Sequence, residues 1–139
     1  MSQPAAHALC SFVPVFMRFL REGLAEVPIS PARFQLLEAL KKEGELSMVE
    51  LAERLTVTKR NITSLVDGLE SERLVGRIPH PTDRRSTLVK LTNNGDETFL
   101  KAAYVQKKHL SKLIDRLDET QKEEMTRTLN YLTKLLVED

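Results

Sequence analysis

The residues most suited to binding chemistry lie in the segment from His80 to Gly95, which reads HPTDRRSTLVKLTNNG. Turn-forming residues and the adjacent cations Arg84 and Arg85 come first, and a β-branched run typical of a strand follows. Two arginines on an exposed tip attract phosphate, so both are candidate nucleic-acid contacts. The alternative is a solvated turn without a partner. We expect Asp83 to pair with a neighbouring arginine and brace the tip, because a free carboxylate would repel phosphate.

A second candidate surface lies on the preceding segment, VTKRNITSLVDGLESERL, which begins at Val57. Thr58 is a suitable helix cap, and apolar residues recur behind it at the spacing of one helix face. The opposite face carries small donors and acceptors, with cations at its N-terminal end, and such a face fits a DNA major groove. The candidate residues here are Thr58, Lys59, Arg60, Asn61, Thr63 and Ser64.

Local signals predict the elements that hold these two surfaces. Ser47 and Glu50 form an S-x-x-E capping box, which predicts a helix from Met48 to about Leu55. A tight turn then leads into the helix that Thr58 caps. The runs LVGRI and STLVKL are short and β-branched, with PHPTDRR between them, and they predict a β-hairpin. Two short helices followed by a hairpin form a winged helix.

The flanking segments have the pattern of helices. Apolar residues recur at helical spacing from Leu9 to Leu24, although Pro14 requires that this helix either starts near Val13 or kinks there. Further caps are predicted at Ser30, Thr92 and Asp118, and helix ends near Gly44 and Leu117. The predicted fold class is mainly α with a small β-hairpin wing, in which terminal helices flank a winged helix-turn-helix core.

The two terminal helices also carry apolar stripes that predict a homodimer. One stripe runs from Leu9 to Leu24 and the other from Met125 to Leu136. A small domain would leave these stripes in water unless a partner subunit covered them, and a two-fold dimer is the commonest arrangement. The alternative is that the stripes pack on each other within one chain.

The distribution of charge supports a nucleic-acid partner better than the total does. The 139 residues carry a formal net charge of only +1. Between Thr56 and Lys90, however, seven cations face four acids, a balance of +3. From Asp118 to Asp139 three cations face six acids, a balance of −3. Double-stranded DNA is therefore the expected partner of the middle segment.

Several function classes are disfavoured by what the sequence lacks. It has no G-x-S-x-G motif and no phosphate-binding glycine loop, so we expect no enzyme, no catalytic residue and no cofactor. The histidines His7, His80 and His109 are scattered, which predicts no metal site, and His80 is interpreted as an ordinary loop residue. The single cysteine and the absence of a signal peptide or membrane span predict a cytoplasmic protein.

The run LVGRIPHPTDRRSTLVKLTNNG, preceded by LAERLTVTKRNITSLVDGLE, resembles the winged-helix core of the MarR (multiple antibiotic resistance regulator) family of bacterial transcription factors. The resemblance covers the whole chain in element order and is most specific from Leu51 to Gly95. Asp83 and Arg85 match the wing signature of the family, and Thr92 with Gly95 matches the exit into the long helix. Arg73 stands where the family usually has glycine, which implies a left-handed arginine or a different cap.

This resemblance implies a single MarR-type domain over residues 1–139, with a DNA-binding core at about 29–95 and dimerisation helices at about 5–27 and 96–139. It implies a homodimer whose first and last helices interlock, and which reads a pseudo-palindromic operator as a transcriptional regulator, most simply a repressor. A small lipophilic or phenolic ligand would relieve DNA binding. The implied effector pocket involves Phe16, Phe19, Arg33 and Phe34.

Two alternative functions stay open on the sequence. The chain could be a helical protein-interaction module that has lost DNA binding, although it keeps the cations of both candidate surfaces. It could also be a thiol-based redox-sensing regulator that uses Cys10, since one branch of the family carries a reactive thiol in the first helix. We expect instead that Cys10 is a buried, inert residue.

Overall fold

The computed structural model describes residues 3–138, which form six α-helices and a three-stranded antiparallel sheet. The helices are α1 (Gln3–Gly23), α2 (Pro31–Glu43), α3 (Met48–Leu55), α4 (Lys59–Ser71), α5 (Asn93–Ile114) and α6 (Glu119–Val137). The strands are β1 (Leu46–Ser47), β2 (Val75–Pro79) and β3 (Thr87–Leu91). The predicted fold class, mainly α with a β-hairpin wing, is confirmed.

The wing is the antiparallel hairpin of β2 and β3, which pair from Val75 opposite Leu91 to Pro79 opposite Thr87. Sequence reasoning missed β1, which adds to the other edge of β3 and places Leu46 opposite Val89. A strand of two residues is too short to show an alternating pattern, and Ser47 is also the cap of α3.

The predicted helix caps are present at the atomic level. Ser47 Oγ accepts the backbone N–H of Glu50, and the Glu50 carboxylate accepts the N–H of Ser47, both at 3.1 Å. Thr58 Oγ1 accepts the N–H of Asn61 at 3.1 Å. Ser30 caps α2 in the same way, and Gly44 ends that helix with a φ of 80°. These short-range bonds fix where the two helices of the helix-turn-helix begin.

The core that supports the helix-turn-helix and the wing is aliphatic. Leu51 of α3, Val66 of α4 and Val89 of β3 have no exposed surface. Phe34 of α2 stacks on Phe99 of α5 at a ring-centroid distance of 5.3 Å. The apolar stripe of α4 therefore packs inward, so its polar face is directed to solvent.

The structure excludes one of the two alternatives for the first helix and moves the end of the long helix. The first helix begins at Gln3 and contains Pro14, so a start near Val13 is wrong. Proline removes one backbone donor and leaves the carbonyl four residues earlier, that of Cys10, without its helical partner. Both residues are exposed, so water can bind that carbonyl. The helix α5 ends at Ile114 rather than near Leu117, because residues 115–117 form a turn before the next cap.

The chain divides into two compact units, residues 1–106 and 107–139. The first contains α1 to α4, the sheet and most of α5. The second contains the end of α5 and α6, where Asp118 and Gln121 form the predicted capping box. Lys122 lies 3.6 Å from the carboxylate of Asp115 and 3.3 Å from that of Glu119, which links the turn to α6. No residue of α6 is buried.

Candidate nucleic-acid interface

All six residues predicted on the polar face of α4 are exposed to solvent: Thr58, Lys59, Arg60, Asn61, Thr63 and Ser64. Two of them also have local structural roles. Thr58 caps the helix, and Thr63 Oγ1 donates to the carbonyl of Lys59 at 2.8 Å. An open groove between α3 and the start of α4 is lined in part by Thr58, Lys59 and Asn61. The cations thus stand beside the N-terminal end of α4, where the helix dipole also favours an anion.

Arg84 and Arg85 are exposed at the tip of the wing, between the strand ends Pro79 and Thr87. The contact made by Asp83 differs from the expected one. Its carboxylate accepts the backbone N–H of Arg85 at 3.0 Å, and this bond uses the main chain rather than a guanidinium group. An Asx-type turn needs no side-chain partner, which leaves both guanidinium groups facing solvent.

Arg77 of β2 is the main site residue that sequence reasoning missed. It donates to the carboxylates of Asp67 and Glu70 on α4 at 2.6 and 2.5 Å, and its side chain is 28% exposed. The hydrogen bond to Asp67, together with the negative charge of Glu70, raises the pKa of Arg77 above its ordinary value. The only feature of the sequence that points to this contact is the spacing of Asp67 and Glu70, which places two acids on one side of α4. Arg77 fastens the wing to α4.

Each acidic side chain between Thr56 and Lys90 has a bonding partner. Arg77 bridges Asp67 and Glu70, Asp83 accepts a backbone N–H, and Glu72 pairs with Arg33 of α2. By contrast, six of the seven cations between Thr56 and Lys90 form no ion pair with any residue from 3 to 138, and four of these six lie on the two candidate surfaces: Lys59, Arg60, Arg84 and Arg85. These four exposed cations lie on α4 and the wing, where they can attract an anionic ligand.

The wing is also joined to the first turn of α5. Thr92 Oγ1 donates to the carbonyl of Arg73 at 2.6 Å and accepts the N–H of Gly95 at 2.9 Å. The N–H of Thr92 donates to the carbonyl of Leu74 at 3.2 Å. Arg73 adopts the left-handed conformation, with a φ of 63°, which is the first of the two alternatives stated above. A Cβ atom on Gly95 would lie 1.9 Å from the oxygen of Leu74, so this position requires glycine.

The four predicted effector residues lie on two helices, Phe16 and Phe19 on α1 and Arg33 and Phe34 on α2. The α1 pair stacks at 6.5 Å between ring centroids. Phe34 is only 4% exposed and belongs to the core, and Arg33 is engaged with Glu72 beside Gly68. Their assignment to a ligand pocket stays a prediction.

The expectation that Cys10 is buried is wrong for the single chain, because the thiol is exposed on α1. The reason is the position of the whole helix, in which only Gly23 is buried. Among residues 3–138, no three side chains of His, Cys, Asp or Glu are grouped so that they could hold a metal ion. Within the same range no helix has the length and apolar character needed to cross a membrane.

Comparisons with known proteins agree with this geometry. The MarR family model matches residues 27–86. The transcriptional repressor MdtR of Bacillus subtilis is 32% identical over 114 residues, which cover 82% of this chain and 72% of MdtR. The apo structure of wild-type MarR from E. coli has a TM-score of 0.75 and 28% identity, covering 94% of this chain and 95% of that chain.

A variant of E. coli MarR complexed with operator DNA is similar to the same degree, with a TM-score of 0.74 and 28% identity over 96% of this chain and 93% of that chain. These relatives are regulators of transcription rather than enzymes, as the sequence indicated. The chain belongs to the MarR family of transcriptional regulators.

Proposed function

We propose that the protein is a homodimeric repressor that binds a pseudo-palindromic operator in double-stranded DNA and releases it when a small ligand binds. The observation that carries this proposal is the contrast in charge at the candidate interface. The acids of the region are engaged by partners, whereas Lys59, Arg60, Arg84 and Arg85 are exposed and form no ion pair among residues 3–138. Unpaired cations on two adjacent elements favour a polyanion.

The two surfaces have different roles in this proposal. The polar face of α4, from Thr58 to Ser64, enters the major groove and reads base edges. Arg84 and Arg85 reach the neighbouring backbone and narrow minor groove, where the negative potential attracts arginine. The E. coli MarR variant solved with operator DNA supports this arrangement through its likeness to this chain.

The proposed dimer is supported by the apolar side chains that one chain leaves exposed. Phe12 and Val15 of α1 are 51% and 55% exposed, and Leu129 and Leu136 of α6 are 50% and 79% exposed. A second copy that covers these helices would remove both surfaces from water. For two half-sites on one face of the duplex, the recognition helices would be about 34 to 36 Å apart.

Repression and its relief are inferred from the family. The name of MdtR marks that relative as a repressor. We infer a lipophilic or phenolic effector near Phe16, Phe19, Arg33 and Phe34, and we place the regulator in the cytoplasm because its partner is DNA. The alternative of an interaction module without DNA binding is disfavoured, since such a module would not need exposed cations on both α4 and the wing.

The test is a fluorescence anisotropy titration with a labelled duplex taken from directly upstream of the protein's own coding region. Arg85→Ala should weaken binding by about 1 to 3 kcal/mol while the fold is kept, because one minor-groove contact is lost. Lys42→Ala is the matched control, since it removes one positive charge from an exposed position on α2. Equal affinities of the two variants would reject the role of Arg85.

Two further measurements on the same duplex test the rest of the proposal. Affinity should fall steeply as salt increases, because phosphate contacts release counterions, and a flat dependence would exclude the basic surface as the binding site. Addition of a panel of aromatic acids should release the DNA if the effector is phenolic. Sedimentation of the free protein as a monomer at micromolar concentration would contradict the dimer.

A further inference from the structure

We propose that His80 positions the wing tip for DNA binding, and that it does so only when its ring is neutral. The inference rests on the proposed function, because the wing matters only if the protein binds DNA. The sequence around His80 predicts only an ordinary loop histidine. In the structure His80 occupies the first position after β2, at the base of the turn that carries Arg84 and Arg85.

The ring of His80 organises the main chain of the turn. Its Nδ1 atom accepts the backbone N–H of Thr82 at 3.2 Å and the backbone N–H of Asp83 at 3.1 Å. Pro81, which lies between His80 and Thr82 in the sequence, has no backbone N–H that could bind the ring. One imidazole nitrogen therefore takes the place that a backbone carbonyl or an Asx side chain fills in other turns.

A chain of hydrogen bonds connects this nitrogen to Arg85. Asp83, whose N–H binds the ring, also accepts two hydrogen bonds. Its carboxylate accepts the N–H of Arg85 at 3.0 Å, and its backbone carbonyl accepts the N–H of Ser86 at 3.1 Å. The N–H of His80 itself donates to the carbonyl of Ser86 at 3.3 Å and closes the turn. Loss of the ring bonds would free Asp83, and with it the backbone of Arg85.

The geometry requires one protonation state. A neutral imidazole has a single acceptor nitrogen, and here that nitrogen is Nδ1, so the proton lies on Nε2. In the imidazolium form both nitrogens are donors, and the Nδ1 proton would face the N–H groups of Thr82 and Asp83. The hydroxyl of Thr82, which lies 3.4 Å from Nδ1, could accept that proton, but the two N–H groups would still lose the ring as their acceptor. Histidine is the side chain that ordinarily changes charge between about pH 5 and 8, so a change of pH in this range is the natural test of the turn.

The charged groups around the ring do not offer another partner that would keep the turn closed. On the turn itself Asp83 is bonded to Arg85 through the main chain, and Arg84 and Arg85 face solvent. On β2, Arg77 is engaged with α4, and on β3 the only charged side chain, Lys90, pairs in register with Gly76 near the other end of the hairpin. None of these groups replaces the ring of His80 as the acceptor for the N–H groups of Thr82 and Asp83.

This role predicts a pH dependence opposite to that of simple electrostatics. A new positive charge on the wing should strengthen the attraction to phosphate as the pH falls. Loss of the ordered turn should weaken binding instead, because Arg85 must then be ordered at the moment of binding. We expect the loss of order to outweigh the added charge. Between pH 8 and pH 5.5, the DNA affinity of the wild type should fall about fivefold relative to that of a variant with no ionisable side chain at this position.

The test uses anisotropy with the upstream duplex at constant salt on three proteins, the wild type, His80→Asn and His80→Ala. Asparagine places an uncharged acceptor, Oδ1, at the same distance along the side chain as Nδ1 and keeps it at every pH. His80→Asn should therefore bind as tightly as the wild type at pH 8 and more tightly at pH 5.5. His80→Ala should bind about fivefold more weakly than the wild type at pH 8. His7 and His109 remain in all three proteins and cancel in the comparison.

A second readout separates this proposal from the proposed function. In the DNA-free protein, the amide resonances of Thr82 and Asp83 should shift with pH together with the ring of His80, and His80→Asn should abolish the shift. If this coupling is seen but no duplex binds at any pH, the proposed function fails and the positioning role of His80 in the turn stands. If wild-type affinity rises at pH 5.5 relative to His80→Asn, or if the amides do not follow the ring, the positioning role is overturned.

Discussion

Replacement of Gly95 by alanine is the sharpest test of how the wing is attached to the rest of the domain. A Cβ atom at this position would lie 1.9 Å from the carbonyl oxygen of Leu74, whereas separations under 3.0 Å are essentially never seen for real Cβ atoms. The two atoms would have to separate by at least 1.1 Å, the difference between these distances. The obstacle is backbone, so no side-chain rotation can relieve it.

The expected cost follows from three contributions. Overpacking against a fixed backbone costs about 1 to 3 kcal/mol, and more where the neighbour cannot move. A shift of Leu74 also breaks the bond between its carbonyl and the N–H of Thr92, which contributes about 1 kcal/mol. Alanine favours the helix by about 1 kcal/mol over glycine and offsets part of this. Together these contributions should lower the free energy of unfolding by roughly 1 to 3 kcal/mol, or Tm by about 4 to 12 °C.

Urea unfolding followed by circular dichroism measures this loss, and Gly76→Ala provides the control. Gly76 lies on β2 in the same hairpin, and a Cβ atom there would meet nothing within 4 Å. That variant should stay within about 0.5 kcal/mol of the wild type. If Gly95→Ala were as stable as Gly76→Ala, the close approach of α5 to Leu74 would be refuted, and with it the reason for glycine at this position.

Three other substitutions probe separate contacts. Arg77→Gln should weaken DNA binding about tenfold, because Asp67 then faces phosphate without its partner. The free energy of unfolding should change by less than about 1 kcal/mol, since the ion pairs are partly exposed. Adding Asp67→Asn should restore affinity, and no recovery would contradict the electrostatic reason. Ser47→Ala should lower the free energy of unfolding by about 1 kcal/mol through loss of the α3 cap, and an unchanged urea midpoint would exclude that role. Hydrogen bonds from Arg54 lower the pKa of Glu43 below its ordinary 4.5. The Tm advantage of wild type over Glu43→Gln should therefore be present at pH 7 and decline as the pH falls through the lowered value, and an advantage that is the same at every pH below 4.5 would argue against the pair.

The fold was predictable wherever a signal is local. Ser47, Thr58 and Asp118 were identified as caps because a capping bond spans three residues and is visible in the sequence. The hairpin was predictable from β-branched runs around a turn. The strand β1 was not, because its pairing with β3 depends on a contact between Leu46 and Val89, which are distant in the sequence.

The candidate site shows the same division. The exposed cations of α4 and the wing could be predicted, because exposure of a polar face follows from burial of the opposite apolar face. The bonds of Arg77 to α4 could not, since they depend on the orientation of a hairpin relative to a helix. His80 was misjudged for a different reason. Its ring bonds are local, but a histidine that accepts two N–H groups has no distinctive residue pattern around it.

The two attachments of the wing differ in chemistry, and this difference decides how a salt titration should be interpreted. The ion pairs of Arg77 are partly exposed and weaken as salt increases. The junction of Thr92 with Arg73 and of Gly95 with Leu74 consists of hydrogen bonds and close packing, which salt hardly affects. The wing therefore stays attached at high salt, and a loss of affinity there measures the phosphate contacts themselves. In Arg77→Gln the junction remains but Asp67 and Glu70 face phosphate without a partner, so the difference in salt dependence between the wild type and this variant measures the loss of the ion pairs together with that repulsion.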